Sequence, residues 1–426
     1  MPNTDPTVED IKRFTVGETP LGRFAATNRE PATPSTFYCW LSLNEERTGQ
    51  LELGNFVVLA NEHDMAIGVI QDMTVVSDLP DMLSAYLRSG MGDPNKKAPS
   101  ELITVMYCKV GVMRTWREET RPFSRGVVYL ASQAAIEYSL QTREAYDTVT
   151  TIRKGMIPIG LLKNTDALSM PIYIDETRIV GPLGAHLNIT GMSGEAAKTS
   201  YFLYLLKALF ACGNTPLAAV IFNNKHRDLL ALDYENPELT KKDIAFYKTM
   251  GVPCEPFDKV RYFAPRNGLT TRALSQRRSP TGRADAEYFT WELLDTLNFA
   301  QPKASPLLEL LDESCRDDRA LPLVLDIIDD LNNGQFAGIT TFEALNQQLA
   351  DMDDRNYKGH HQGTFLKVRR CLRGLGSLYS GIVGTGVTRD IPFEEMKPGE
   401  VFIIDVASLS AADDRVQRFI LAHTIN

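Results

Sequence analysis

Residues 185–210 read AHLNITGMSGEAAKTSYFLYLLKALF, and the fold turns on how this stretch is understood. Leu187 and Ile189 fit a strand, Gly191 and Gly194 a turn, and the run from Tyr201 to Phe210 a helix apolar nearly all round, hence buried on several sides. A glycine-containing turn between strand and helix aims backbone N–H groups at an anion, and the positive helix N-terminus adds to the same spot. In such a cradle Lys198 neutralises the β and γ phosphates of ATP and Thr199 ligates Mg²⁺. The spacing departs from the usual G-x-x-x-x-G-K-[ST], because Met192 and Ala197 stand where that pattern has glycine. A glycine-containing turn that caps a buried helix is the competing reading of the same residues.

The residues just downstream favour the cradle. Pro216 leads into the apolar run 217–222, LAAVIF, which has the texture of a strand covered on both faces of a parallel sheet. Strand, helix and strand then make a βαβ unit with its turn at the carboxyl end of the first strand, where α/β sheets bind ligands. The polar residues 223–228, NNKHRD, close that second strand and read equally as a surface loop or as a group beside the nucleotide. Near the end of the chain, Val401-Phe402-Ile403-Ile404-Asp405 is an apolar strand finishing in a carboxylate. Such a strand has Walker B shape, with Asp405 on the Mg²⁺ side, or else Asp405 caps a strand-to-helix turn. No glutamate comes after it; the next residues are Val406-Ala407-Ser408-Leu409.

Upstream, residues 49–76 alternate as two strands around the turn Asn61-Glu62-His63-Asp64, with glycines where a curved sheet bends. Further strands at 102–112 and 126–131 complete the pattern of a small barrel, followed by a helix at 132–142. Residues 77–100 read as a surface insertion, and 156–174 as renewed strand. Downstream, the basic turn-rich join 277–283 opens a stretch of helical period reaching to about residue 380. Within it Asp326, Asp329 and Asp330 mimic a metal cluster, but with no His or Cys beside them they read first as a solvated acidic face. Lys367, Arg369, Arg370 and Arg373 form a basic stripe, a solvated face or a phosphate contact.

A chain of 426 residues needs two or three domains. The expected divisions are 1–155 (barrel and trailing helix), 156–275 (first part of the nucleotide core), 276–385 (helical insertion) and 386–426 (return to the core). A net charge of −9 argues against a protein that coats nucleic acid with its whole surface, though not against a basic channel within an acidic ring. Six scattered cysteines without a C-x-x-C suggest reduced thiols in the cytoplasm. No run approaches a membrane span.

The order of small barrel, 157–162 (IPIGLL), 171–173 (PIY), then 186–191 (HLNITG) resembles the bacterial HerA-like ATPases of the FtsK-HerA superfamily. A lengthened P-loop, G-x-S-G-x-A-x-K-T-S, is matched by Gly191, Ser193, Gly194, Ala196, Lys198, Thr199 and Ser200, with Glu195 and Ala197 between them. Residues 221–225 and 228–230 fit the same subgroup, with His226 where it tends to have glycine. The resemblance implies an α/β fold: a RecA-like P-loop NTPase core with an N-terminal HAS-barrel-like domain and a helical insertion. It further implies a ring, as a hexamer, that hydrolyses ATP with Mg²⁺ to move DNA as a translocase or helicase beside a nuclease or effector partner. In those relatives the strand matching Val401–Asp405 is followed by a helix and then by a strand bearing an acidic pair and a later arginine. This chain ends inside that helix, so the resemblance places part of the hydrolytic machinery beyond residue 426. A nucleotide-gated assembly scaffold that moves no strand is the alternative function.

Overall fold

Alternation of apolar and polar residues builds the N-terminal unit. The structure, a computed structural model, describes residues 5–41, 51–77, 81–88, 91, 93, 95, 104–117, 121–140, 153–165, 168–181, 184–191, 197–224, 229–265, 287–291, 293, 315, 317–352, 357–379, 381–383, 389–407 and 414–425. The chain divides into two compact units, residues 1–191 with 202–214 and 246–252, and residues 192–201 with 215–245 and 253–426.

In the first unit six strands, β1 (Gly22–Ala25), β2 (Thr36–Leu41), β3 (Phe56–Ala60), β4 (Met65–Ser77), β5 (Thr104–Thr115) and β6 (Val127–Leu130), close into a barrel ordered β1-β2-β5-β4-β3-β6. All its pairings are antiparallel. Val57 and Leu59 point inward to Phe37, Cys39, Cys108, Val110 and Val128. Their neighbours Phe56, Val58 and Ala60 point outward, yet are also buried, because Phe14 of α1 (Val8–Phe14) and Ala135 and Ile136 of a later helix cover them. Burial on both faces is why β3 reads as an unbroken apolar run. At Gly68 the β4–β5 register shifts, and a Cβ there would meet Val110 Cγ1 at 2.5 Å and the Gly111 carbonyl oxygen at 2.7 Å. Only glycine lets the two strands approach so closely. Between β4 and β5 the insertion carries a short helix, α2 (Met82–Arg88), with no buried residue. The covering helix, α3 (Gln133–Ser139), is capped by Ser132, whose hydroxyl accepts from the Ala135 N–H. A hairpin of β7 (Met156–Thr165) and β8 (Leu168–Asp175) is tied to the barrel by Asn164. Its side chain accepts from Phe56 N and donates to the Ala131 carbonyl at 3.1 Å.

The buried helix read at 201–210 is present as α4 (Ala197–Cys212), and Tyr204 on it donates to the Pro158 carbonyl at 2.8 Å. Tyr204 also meets Phe246 and Tyr247 of α5 (Lys241–Met250). One expectation fails just ahead of this helix. Residues 184–191 lie outside every sheet and are mostly exposed, Leu187 to 54%. Two apolar residues among polar ones fit strand spacing, but spacing does not supply a pairing partner, and too little apolar surface is available to hold a strand in place. Among the described residues the expected βαβ unit therefore has no first strand.

In the second unit β9 (Ala219–Asn223), β10 (Val260–Pro265), β11 (Glu287–Phe289) and β12 (Val401–Asp405) form an all-parallel sheet ordered β11-β10-β12-β9. β12 is inner and buried throughout. β11 lies inside the stretch read as helical; its three residues are too few for periodicity to separate strand from helix. Arg261 on β10 makes a double hydrogen bond to Glu287 on β11, at 2.8 and 2.9 Å, which holds that short strand in register. Among the described residues, helices α6 (Ala320–Asn333), α7 (Phe342–Asp351), α8 (Gln362–Leu378) and α9 (Asp414–Ile425) belong to the same unit. On α6, Leu323, Val324, Ile327, Ile328 and Leu331 recur at helical spacing and join Phe263, Phe402 and Ile404 of the sheet in one core with Val368 and Leu372 of α8. Each such fully buried side chain contributes roughly 1.5–3 kcal/mol relative to exposure.

Two expectations about this unit are corrected. The aspartates of α6 are not a bare solvated face: Asp330 is buried and accepts from Tyr357 Oη at 2.6 Å, Lys358 Nζ at 2.8 Å and Gln335 Nε2 at 3.0 Å, while Asp326 meets His360. These partners arrive from residues up to 34 positions away, beyond any local pattern. Cys315 and Cys371, expected as reduced thiols, are joined in a disulfide; spacing along the chain carried no sign of it. Of the basic stripe, Lys367 pairs with Asp317 at 2.6 Å, and Arg370 and Arg373 are exposed.

Candidate functional site

The carboxyl edge of the parallel sheet is the place to look, since crevices outside strand ends are where α/β sheets bind ligands. β9 and β12 run side by side in a register that sets Asn223 opposite Asp405, each the last residue of its strand. Both side chains are fully buried. Asn223 Nδ2 donates to Asp405 Oδ1 at 2.9 Å, and the same oxygen accepts from Ala407 N at 3.3 Å. The Val406 N–H donates to the Asn223 carbonyl at 3.0 Å, and Gln417 on α9 donates to the Val406 carbonyl at 3.0 Å, so the turn after β12 is fixed from two sides. Burying a carboxylate without donors is costly, and this one is retained because an amide and a backbone N–H meet it.

The sequence pattern puts Asp405 at a strand's end, where it lies. It does not single out Asn223 as its partner, although a polar residue closing an apolar strand is the visible signal. The neighbouring cluster 225–228 is outside the described residues.

The other part of the expected site is the start of α4 at Ala197, so Lys198, Thr199 and Ser200 occupy its first turn, where helix N–H groups have no partner within the helix. Lys198 and Thr199 are half-buried and Ser200 is exposed. Gly191 is exposed and outside any sheet; Ser193, Gly194, Glu195 and Ala196 fall outside the described residues. Lys198, Thr199, Ser200, Asn223 and Asp405 all belong to the second compact unit. A lysine and two hydroxyls in a helix's first turn are groups that bind a phosphate, and Thr199 and Asp405 are each of a ligand type that Mg²⁺ takes. Among the described residues no group of three His, Cys, Asp or Glu side chains could hold a metal by itself, nor is any helix long and apolar enough to cross a membrane.

No protein-family model matches the chain, and no curated protein matches it either.

Proposed function

We propose that this protein is an ATP-binding motor ATPase of HerA-like type, assembling as a ring, most simply a hexamer, and acting as a DNA translocase or helicase with a nuclease or effector partner. The observation that carries the reading is the start of α4: Lys198-Thr199-Ser200 falls in the first turn of a 16-residue helix, where a phosphate cradle needs it. The buried Asp405, ending an inner strand of a parallel sheet, supports it from the Mg²⁺ side. In this proposal Lys198 binds the β and γ phosphates, Thr199 ligates Mg²⁺, and the amides between Ser193 and Lys198 surround the phosphates. The course of residues 184–191 outside any sheet weighs against it, because a P-loop is ordinarily held by the strand before it. A cytoplasmic location is part of the proposal; the Cys315–Cys371 disulfide pulls the other way, since such bonds are rare in reducing compartments.

The scaffold alternative draws on the net charge of −9 and keeps nucleotide binding while dispensing with DNA. Substituting Lys198→Ala decides the nucleotide claim. Binding of ATP and any DNA-stimulated hydrolysis should fall by about 100-fold or more with the circular dichroism spectrum unchanged. ATP binding at the wild-type level in that variant would sink the assignment. Salt-sensitive stimulation by DNA favours the motor, and indifference to DNA favours the scaffold.

A further inference from the structure

On the outside of the barrel, under α1, lies a groove of about 760 Å³ that the nucleotide reading does not use. Strand register sets its floor. Arg23 on β1 is the cross-strand partner of Val127 on β6, which is in turn the partner of Ala60 on β3. Cross-strand partners project from the same face, so a cation, an aliphatic side chain and a methyl group stand in one row across three strands. Tyr129, two residues along β6, joins that face. Val8 and Ile11 of α1 form an apolar wall above it.

Charge at the groove is unbalanced. Two arginines, Arg23 and Arg125, line it with one carboxylate, Glu62. Arg125 comes no nearer to Glu62 than 3.9 Å, too far for a hydrogen bond. The Arg23 guanidinium has no ion pair or hydrogen bond among the described residues, and the Tyr129 hydroxyl has no partner there either. A guanidinium presents a fork of N–H donors that matches a carboxylate in two parallel bonds.

We propose that this groove binds a small amphipathic organic anion. Its carboxylate pairs with Arg23 and accepts from the Tyr129 hydroxyl; its apolar body lies on Val127, Val8 and Ile11. The volume is that of a small-molecule site, and the mix of apolar walls with a few convergent polar groups is the usual make-up of one. An uncharged apolar molecule would cover the arginine without pairing it, so the site selects for charge. This assignment stands apart from the nucleotide reading and survives its failure.

Isothermal titration of the full chain with decanoate tests it, with decanol as the uncharged probe. Decanoate should bind saturably at one site per chain, and decanol at least tenfold more weakly. Arg23→Gln should weaken decanoate about tenfold, as should Val8→Asp, a change at a position 70% exposed that leaves the barrel core untouched. Arg370→Gln, on the exposed face of α8, should change nothing. The proposal is overturned if decanoate does not saturate, if decanol binds as well, or if Arg23→Gln binds with wild-type affinity while its thermal melt is unchanged.

Discussion

Asn164 and Asn223, a buried asparagine taken from each unit, do different work. Asn164 fills both ends of its amide with backbone groups, Phe56 N and the Ala131 carbonyl, and so fastens the β7–β8 hairpin to the barrel. Asn223 spends its amide N–H on a carboxylate, Asp405, at the carboxyl ends of two parallel strands. Backbone groups must be paired wherever the chain is buried, so the first arrangement is explained by folding alone. A buried aspartate is optional: an apolar residue there would remove the need for a donor altogether. Its position at the carboxyl edge of a parallel sheet, where α/β folds bind ligands, is what makes Asn223–Asp405 a candidate site rather than a seam.

The largest effect should come from separating that pair. Asn223→Leu leaves the Asp405 carboxylate buried without its amide donor and should cost about 3 kcal/mol, read as a lowered urea midpoint. The double variant Asn223→Leu/Asp405→Leu should recover most of it, since replacing both partners by apolar groups of similar shape is nearly neutral. If the recovered double variant lacks the proposed Mg²⁺-dependent hydrolysis where wild type shows it, the pair is kept for chemistry; if the single change costs nothing, the contrast between the two asparagines collapses.

A smaller loss is expected in the barrel. Asn164→Ala should cost about 2 kcal/mol by stranding a backbone N–H and a carbonyl, and no second substitution can rescue it, because both partners are main chain. The proposed nucleotide binding should be untouched, and a change in it would show that Asn164 is more than a fastening.

Asp330 supplies the smallest effect and the control, a buried carboxylate with a purely structural set of partners. Burial pushes its carboxyl up, but Lys358, Tyr357 and Gln335 together outweigh that and hold it below the ordinary value. A depressed folded pKa contributes stability that is present above the unfolded value of about 3.9 and is lost as pH falls through the lower folded one. Lys358→Met should therefore move the acid-unfolding midpoint upward, by little because the lysine side chain is 35% exposed. An acid transition at the same pH as wild type would show that Lys358 does not hold Asp330 down.

Much of the barrel was legible in the sequence, because antiparallel strands joined by short turns write their pairing locally: Asn61-Glu62-His63-Asp64 between two apolar runs already fixes β3 against β4. The helix at Tyr201–Phe210 and the terminal carboxylate of Val401–Asp405 were legible for the same reason, as runs of one period with a marked end. The strand read at Leu187 and Ile189 was not borne out, since a pattern of two apolar residues names no partner.

The sequence by itself determined which segments are apolar, with what period, and where they stop. Tertiary structure alone decided what met at those ends: Asn223 beside Asp405 across 182 residues, β11 beside β10 through Arg261 and Glu287, Asp330 against Tyr357 and Lys358, and Arg23 in line with Val127. The physical reason is that side-chain periodicity is a property of neighbours along the chain, whereas a parallel sheet pairs strands that only long crossovers bring together.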